Sequence, residues 1–580
     1  MLTPLIDPRG GDLEDDFSST KQRSLLGIAG SLLAEISFPK LIVAWALLIV
    51  LPGLIIGIAP LITTAWVATL VRKAGSPFSE LWPLLALPFV LLVGWIGGRP
   101  LFRVAEQAFW SLNSLAIHPG YALCREALQH LAERLPVVHD GHTQLRAWTA
   151  ASAGFLVGAW GLGVVFLAWP YSRWIGAVAD LAMPQQLLLA ALANAAVALG
   201  VYVSTAGPVW GIADAGMRQP RDLAAFDTAP SGSRTWRIAH LSDLHCVGER
   251  YGFRIESGRS GAQGNDRLSN VLARLHAIHA ERPLDFVLVT GDMTDCGRSA
   301  EWAKLLRIFA DYPDLAERTL FLPGNHDVNV VDRANPARLD LPTSPARRLR
   351  QVRALSAMAA LQGDRAQLVD PQSHALAGTL TQALVCNREA LVAFADTGGL
   401  RQAFKLARVW DEAFPMVILP DAEDGLGVIL FNSTAETHFS FTNALGLLTA
   451  EQMERFAAVT QQFPQACWIV ALHHHLVEYP RPAKAFSERI GTALINGSWV
   501  VRQLQRLGPR LVVMHGHRHI DWFGECGTVR ILSAPSPVME AADEDTTHFY
   551  IHTLAATPER LCVLTPEQVD VAGTAADARP

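Results

Sequence analysis

The sequence predicts an α/β domain preceded by an all-α transmembrane domain, and two observations carry that expectation. Four long runs without Asp, Glu, Lys or Arg (Leu41 to Val71, Leu81 to Gly98, Ala147 to Ser172, Leu181 to Ala213) fall in one stretch of the chain. Beyond it come six short β-rich runs, most ending in a polar cluster: Trp236 to Leu241, Phe286 to Thr290, Leu320 to Leu322, Val428 to Phe431, Trp468 to Leu472 and Leu511 to Met514. At 580 residues the chain exceeds what one hydrophobic core usually fills, so at least two domains are expected.

Residues 1–40 read as a cytosolic tail. Its Asp12, Glu14, Asp15 and Asp16 precede the first apolar run, which excludes a cleavable signal peptide. Each apolar run reaches the roughly 18 to 20 residues that cross a hydrocarbon layer, and helices apolar on every face rarely pack in water. Residues 41–215 are therefore expected to form a transmembrane helical domain of about four spans. The first run holds Pro52, Gly53, Gly57 and Pro60, which leaves a kinked helix or a re-entrant piece open. Between Leu101 and Leu135, Leu123, Ala127, Leu128, Leu131 and Leu135 recur at helical spacing. That pattern suits either an amphipathic helix on the inner membrane face or one packed on the spans.

Orientation follows from Lys and Arg beside the spans. The tail (Lys21, Arg23, Lys40), the middle loop (Arg99, Arg103, Arg125, Arg134, Arg146) and the stretch after the fourth run (Arg218, Arg221, Arg234, Arg237) are basic. The other two loops hold only Arg72, Lys73 and Arg173. The expectation is a multi-pass protein of the cell inner membrane whose carboxy-terminal domain faces the cytoplasm. Seven scattered cysteines without paired spacing fit a reducing compartment. A net charge of -6 gives no reason to expect a nucleic-acid partner, and membrane lipid is the expected neighbour.

Residues 216–234, with Pro220, Pro230, Ser231, Gly232 and Ser233, read as a linker. Residues 235–566 form the α/β domain, interrupted at 328–425 by an insertion read as helical and able to cap a site. Its Arg338, Arg347, Arg348, Arg350 and Arg353 suit either phosphate or headgroup binding or a solvated helix face. Residues 567–580 are read as a disordered tail.

Five polar clusters follow in fixed order: Asp243-Leu-His245, Gly291-Asp292-Met-Thr-Asp295, Gly324-Asn325-His326-Asp327, His473-His474-His475 and Gly516-His517-Arg-His519. Each alone is a weak signal, since a lone Asp-x-His is more often a solvated or structural feature. Five in order at strand ends form a constellation. Carboxylate, imidazole and carboxamide suit Mn, Fe and Zn, and two ions sharing one carboxylate can clamp both oxygens of a displacement at phosphorus. Asp243 with His245, and His517 with His519, are expected to share a side of an extended segment. In the histidine triplet, alternation sends His473 and His475 one way and His474 the other. Cys246 and Cys296 flank the first blocks, as small buried hydrophobes or as oxidation-sensitive thiols.

These blocks resemble the calcineurin-like metallophosphoesterase superfamily, whose pattern is D-x-H, G-D-x-x-D, G-N-H-[DE], H, G-H-x-H; the likeness covers roughly residues 236–565. The resemblance implies a four-layer α/β/β/α sandwich with two mixed sheets and two divalent ions as cofactors. It implies that Asp243, His245, Asp292 and His519 hold the first ion, and Asp292, Asn325, His473 and His517 the second. His473 is chosen because the family uses the first histidine of its block, with His474 a substrate contact. The resemblance further implies a metal-bridging hydroxide as nucleophile, with His326 stabilising charge or protonating the leaving group and Asp327 orienting its ring. Block order, with Asn432-Ser433-Thr434, Gly446-Leu447 and Gln452, most resembles the cyclic nucleotide phosphodiesterase and glycerophosphodiesterase branch. The leading expectation is a membrane-anchored phosphodiesterase acting on a phosphoester substrate. Its rivals are a hydrolase of a lipid-linked phosphoester or pyrophosphate, and a membrane receptor or scaffold that uses the fold to bind ligand.

Overall fold

The computed structural model describes residues 51–74, 117–133, 142–177, 179–180, 183–248, 265–332, 338, 340, 345–397, 400–437, 440, 443–480, 494–539 and 546–572. They divide into two compact units, one within Ser37–Met217 and one within Arg218–Pro580. The expected tail at 1–40 and the run Leu81 to Gly98 lie outside the described residues.

The first unit is helical: α1 (Leu51–Ala74), α2 (His118–Glu133), α3 (His142–Ala168) and α4 (Pro184–Ala215). Among the described residues two helical stretches are long and apolar enough to cross a membrane, Leu145–Tyr171 and Pro184–Ala215. Small residues let α3 and α4 meet backbone to backbone. A Cβ added to Gly154 would stand 2.6 Å from the Gly207 carbonyl oxygen and 2.8 Å from the Gly211 Cα, so any larger residue would force the helices apart. On α4, Asn194 is buried yet satisfied: its amide donates to the carbonyls of Gly57 (3.0 Å) and Arg173 (2.6 Å), and its oxygen accepts from Arg173 N–H (2.8 Å). It thereby ties α1 to α4. The α1 helix runs through Pro60, whose carbonyl accepts from the Thr64 hydroxyl at 2.7 Å.

α2 packs on α3 and α4 through Tyr121, Cys124 and Leu128. The stripe read from sequence is turned partly outward, because Leu123, Ala127 and Leu131 are exposed. The reason is a polar anchor on the packed side: Tyr121 Oη and Arg125 Nη1 both donate to Asp214 Oδ2 on α4, at 2.6 and 2.9 Å.

The second unit holds two mixed sheets. The nine-stranded sheet runs β1 (Arg221–Asp222), β11 (Trp522–Cys526), β12 (Val529–Ser533), β10 (Leu511–His515), β9 (Cys467–Ala471), β8 (Leu426–Leu430), β7 (Met416–Ile418), β5 (Gln367–Val369) and β6 (Leu376–Thr379). The six-stranded sheet runs β14 (Leu561–Val563), β13 (Thr546–Ala556), β2 (Thr235–Leu241), β3 (Phe286–Val289) and β4 (Thr319–Phe321), with β15 (Glu567–Ala572) also paired to β13. β2, β3 and β4 are mutually parallel, as are β8, β9, β10 and β12 along their row.

Period-two alternation explains the layering. Val428, Leu430, Ile469, Ala471, Val512 and Met514 join β2 to β4 in one core, while their neighbours Ile429, Trp468, Val470 and Val513 face a second. Helices α5 (Asp266–Glu281) and α6 (Ser299–Ala310) contribute to the first core. A one-turn helix α7 (Asn325–Val328) follows β4, and α8 (Pro345–Gln362) also enters the first core. Helices α9 (Ala450–Gln462) and α10 (Gly497–Gln505) cover the second core through Met453, Phe456, Val500 and Leu504. This is a mixed α/β sandwich with helices on both outer sides of the paired sheets.

Four expectations are corrected here. Residues 567–580 are not all disordered: Glu567–Ala572 is β15, because Val569 and Val571 alternate into the core opposite Gln568 and Asp570. The linker at 216–234 is stitched to the nine-stranded sheet, since β1 pairs with β11 and Asp227 accepts from Arg530 and Arg560. The insertion at 328–425 is not purely helical, because β5, β6 and β7 extend that sheet. Its arginines form neither a solvated face nor a phosphate patch: Arg347, Arg350 and Arg353 are buried. Arg350 pairs with Asp340 and donates to the Val328 carbonyl, and Arg347 donates to the Thr437 carbonyl, so they brace loops.

Candidate metal centre

Parallel strands deliver the site. β2 ends before Asp243 and His245, β3 before Asp292, β4 before Asn325 and His326, β9 before His473, and β10 before His517 and His519. Side chains leaving the carboxy ends of neighbouring strands converge without long loops. Backbone hydrogen bonds weld these turns together: Asp243 N–H donates to Gly291 O (3.0 Å), His245 N–H to Asp292 O (2.9 Å) and Gly516 N–H to His473 O (3.1 Å). His517 N–H reaches Asp243 Oδ2 at 2.9 Å, and the Ser536 hydroxyl donates to the Asp243 carbonyl at 2.7 Å.

Pleat alternation was the wrong reason for pairing residues two apart. Asp243 (φ 56), His245 (φ 41), Asp292 (φ 49), His517 (φ 74) and His519 (φ 52) all lie in the left-handed region. The turns coil tightly around the site instead of extending past it. Asp and His tolerate this conformation better than most residues do. Glycines supply the remaining clearance: a Cβ on Gly291 would overlap the His473 ring, and one on Gly324 would overlap the Asp292 carboxylate.

Three triplets bring one ligand atom per residue within 4.8 Å of one another: Asp243, His245 and His519; His245, Asp292 and His326; Asp292, His473 and His517. Asn325 joins the last, its Oδ1 lying 3.1 Å from His473 Nε2. His473 Nε2 is also 3.2 Å from Asp292 Oδ2 and 3.1 Å from His517 Nδ1. On the other side His519 Nε2 is 3.2 Å from Asp243 Oδ1 and 3.3 Å from His245 Nε2. Ligands about 2.1 Å from a cation at tetrahedral or octahedral angles lie roughly 3.0 to 3.4 Å apart, which is the spacing of these five pairs; His245 Nε2 stands farther out, 3.9 Å from Asp292 Oδ2 and 4.0 Å from Asp243 Oδ1.

The donor chemistry tests whether cations fit. His473 Nδ1 lies 2.8 Å from the Thr290 carbonyl, which can only accept, so Nδ1 carries the hydrogen. In the neutral ring Nε2 then presents a lone pair toward Asp292 Oδ2 and Asn325 Oδ1, an arrangement that repels until positive charge enters. Burial disfavours the charged imidazole, yet Asp292 lifts His473 to about 9 when protons are the only source of that charge. Asp243 behaves in the same way. Burial would raise its carboxyl, but His519 and His473 hold it at about 2, and its buried Oδ1 faces His519 Nε2 at 3.2 Å. The residues fit two cations with Asp292 shared between the clusters.

All seven expected ligand residues, Asp243, His245, Asp292, Asn325, His473, His517 and His519, are thus brought together, with His326 beside them. The role expected of Asp327 is corrected. Its carboxylate accepts from Met293 N–H (3.2 Å), Thr294 N–H (2.9 Å), Thr294 Oγ1 (2.7 Å) and Gly324 N–H (2.9 Å), so it braces the two loops. Burial, then the neighbouring Asp292 charge, raises Asp327 to about 6. The His326 ring is oriented by the Asp295 carbonyl, 2.7 Å from Nδ1. Asp295 Oδ1 also lies 3.4 Å from His245 Nδ1, and so steadies two site histidines at once. The sequence reading quoted Asp295 within its block but gave it no task. Ser433 was missed likewise: its hydroxyl receives the backbone N–H of both His473 and His474. Cys246 and Cys296 are buried.

Residues 237–521 match the family described as calcineurin-like phosphoesterase. A search of curated proteins found no match to the chain. Similar solved structures include a dimetal phosphatase from Danio rerio, 12% identical, covering 58% of this chain and 99% of its own at a TM-score of 0.34. A purple acid phosphatase from yellow lupin (Lupinus luteus) seeds is 12% identical, covering 60% of this chain and 55% of its own, TM-score 0.28. A calcineurin-like phosphoesterase from Bacillus subtilis is 9% identical, covering 59% and 91%, TM-score 0.30. Residues 237–521 thus form a domain of the calcineurin-like phosphoesterase family.

Proposed function

We propose that the chain is a membrane-anchored phosphodiesterase, with two divalent ions (Mn, Fe or Zn) held by Asp243, His245, Asp292 and His519 and by Asp292, Asn325, His473 and His517. The observation that carries this reading is the convergence of both ligand clusters on one carboxylate, Asp292, 3.2 Å from His473 and 3.9 Å from His245. Ions bound there would acidify water and offset charge on a phosphoryl group.

The chain's own residues set the geometry. His326 N–H donates to Asp292 Oδ1 at 2.8 Å, which fixes the shared carboxylate's rotamer. The His326 ring commits Nδ1–H to the Asp295 carbonyl, so a proton handed to the leaving oxygen comes from Nε2. Asp327 and Asp295 keep the carrying loops in register. The diester preference rests on the resemblance of the Asn432 to Gln452 segment to the phosphodiesterase branch; in the fold this segment braces the site, Gln452 exchanging two hydrogen bonds with the Asn432 backbone and Ser433 holding the His473 loop.

Anchoring is supported by α3 and α4, which expose Trp160, Phe166, Leu167 and Leu189 to their surroundings. The basic set beside the spans favours a catalytic unit on the cytoplasmic side of the cell inner membrane. Full-length protein in detergent, assayed for bound Mn, Fe and Zn and for turnover of bis-nitrophenyl and mono-nitrophenyl phosphate, tests the chemistry. Two ions per chain with diester preference is expected; metal-replete protein inert toward both esters would overturn the reading. Resistance to carbonate extraction tests the anchor. The same exposed apolar faces favour a second reading, a phosphoester or pyrophosphate carried on a lipid, which faster turnover of vesicle-borne than of soluble substrate would establish.

A further inference from the structure

The histidine after the expected ligand has a hydrogen-bonding state that can be settled by counting. His474 is wholly buried, its ring centroid 4.5 Å from that of His517 and 5.1 Å from that of His473. Gly446 lies flat against it, where a Cβ would overlap the ring. Ser433 Oγ receives the backbone N–H of His473 and of His474, each at 3.2 Å. A hydroxyl has two acceptor sites and one hydrogen, so both lone pairs are taken and the hydrogen remains to be given. The neighbour that takes it is His474 Nδ1, 2.9 Å away.

Nδ1 is then an acceptor, and the hydrogen of the imidazole sits on Nε2. That atom is buried and meets no acceptor among the described residues. Native structures rarely leave a buried N–H so, and where they do the partner is commonly something other than protein. His474 belongs to the loop that carries His473 and its ring packs on that of His517, so the ring lies beside the residues assigned to the second ion.

We propose that His474 is a substrate-binding residue whose Nε2–H donates to an oxygen of the phosphoryl group; this rests on the phosphoesterase reading above. It would distinguish esters that present an oxygen at that point from those that do not. Two substitutions separate this role from simple packing. His474→Asn keeps an oxygen able to accept from Ser433 but removes the outer donor, whereas His474→Gln restores an amide donor near the Nε2 position.

The experiment uses full-length, metal-loaded protein, with orthophosphate binding measured by calorimetry, metal content by elemental analysis, and KM and kcat on bis-nitrophenyl phosphate. For H474N, two ions retained and phosphate binding weakened about tenfold are expected, in line with loss of a hydrogen bond to a charged group. For H474Q, most of that loss should be recovered. Wild-type phosphate affinity in H474N would overturn the proposal and assign the donor to a trapped water. Equal loss of metal in both variants would overturn it in favour of a prop for His517. If wild-type protein neither binds metal nor cleaves the diester, the phosphoesterase reading itself fails and the proposal falls with it; if wild type is active, only the Asn and Gln comparison decides.

Discussion

Replacing Asp292 by asparagine should weaken both ions, whereas Asp243→Asn should weaken one. The contrast comes from the ligand triplets: Asp292 occurs in two of them, beside His473 and His517 and beside His245 and His326, while Asp243 occurs only with His245 and His519. Asn is nearly isosteric with Asp and tolerates the left-handed backbone at residue 292 (φ 49), so folding strain is not introduced. What is lost is one formal charge facing each ion. A charge-assisted contact contributes roughly 1.5 to 3 kcal/mol, which converts to about 10- to 150-fold in the affinity of each ion. The assay is metal retention against a graded chelator series, read by elemental analysis on full-length protein, with circular dichroism to confirm that the variants are folded. D292N is expected to lose two ions per chain at chelator concentrations where D243N loses one. A D292N protein that keeps one ion at wild-type affinity would refute the shared carboxylate.

Other outcomes follow from contacts already described. Gly324→Ala puts a methyl against the Asp292 carboxylate and should cost about 1 to 3 kcal/mol in urea unfolding together with lost metal; unchanged metal content would refute the close approach. Asp295→Asn should weaken metal binding about tenfold or more through His245 while leaving the denaturation midpoint of the metal-free protein near wild type. His552, buried between β2 and Phe523, is held at about 3 by burial, below the ordinary histidine value. Its neutral form is accommodated above pH 6.5; as pH falls from 6.5 toward 3 the unfolded chain takes a proton that the folded one refuses, and stability drops by up to about 1.4 kcal/mol per pH unit. His552→Phe should flatten the fall in urea midpoint between pH 7 and 5, and an unaltered slope would refute that cause. Gly154→Val should lower the melting temperature of the helical unit, because Gly207 and Gly211 leave no room for a side chain there.

Much of the second unit was legible because its chemistry sits directly after apolar strands. The runs ending at Leu241, Thr290, Leu322, Phe431, Leu472 and Met514 each fall within a residue of an observed strand end. Elements whose signal is short or mixed with charge escaped: β1 is two residues inside a Pro- and Ser-rich stretch, β5 to β7 are three or four residues each among helices, and β15 hides its two valines in an Ala-rich tail. The ligand residues were readable by type and order. Their backbone shape was not, since nothing in Asp-x-His distinguishes an extended pair from a coiled one. The task of Asp327 was misassigned for a related reason: adjacency in sequence suggested that Asp327 steers His326, whereas the first turn of α7 directs its carboxylate to the Met293 and Thr294 amides. The α2 stripe was readable as helical, but which of its faces packs was not, because that is set by the Tyr121 and Arg125 anchor on Asp214, two residues that carry no periodic signal.

The coiled turns at Asp243, His245, Asp292, His517 and His519 also act as a filter on composition. A side chain at these positions must accept positive φ, which admits Asp, Asn, His and Gly far more readily than Cys or any β-branched residue. Oxygen and imidazole nitrogen are thereby the donors such a backbone can present, and thiolate is disfavoured before any question of affinity arises. Variation under selection can exchange carboxylate, carboxamide and imidazole among these five places, and so retune the charge and acidity of the centre. It cannot easily turn the centre into a sulfur-rich site for softer ions. The menu of metals is narrowed by the shape of the main chain as well as by the side chains that hang from it.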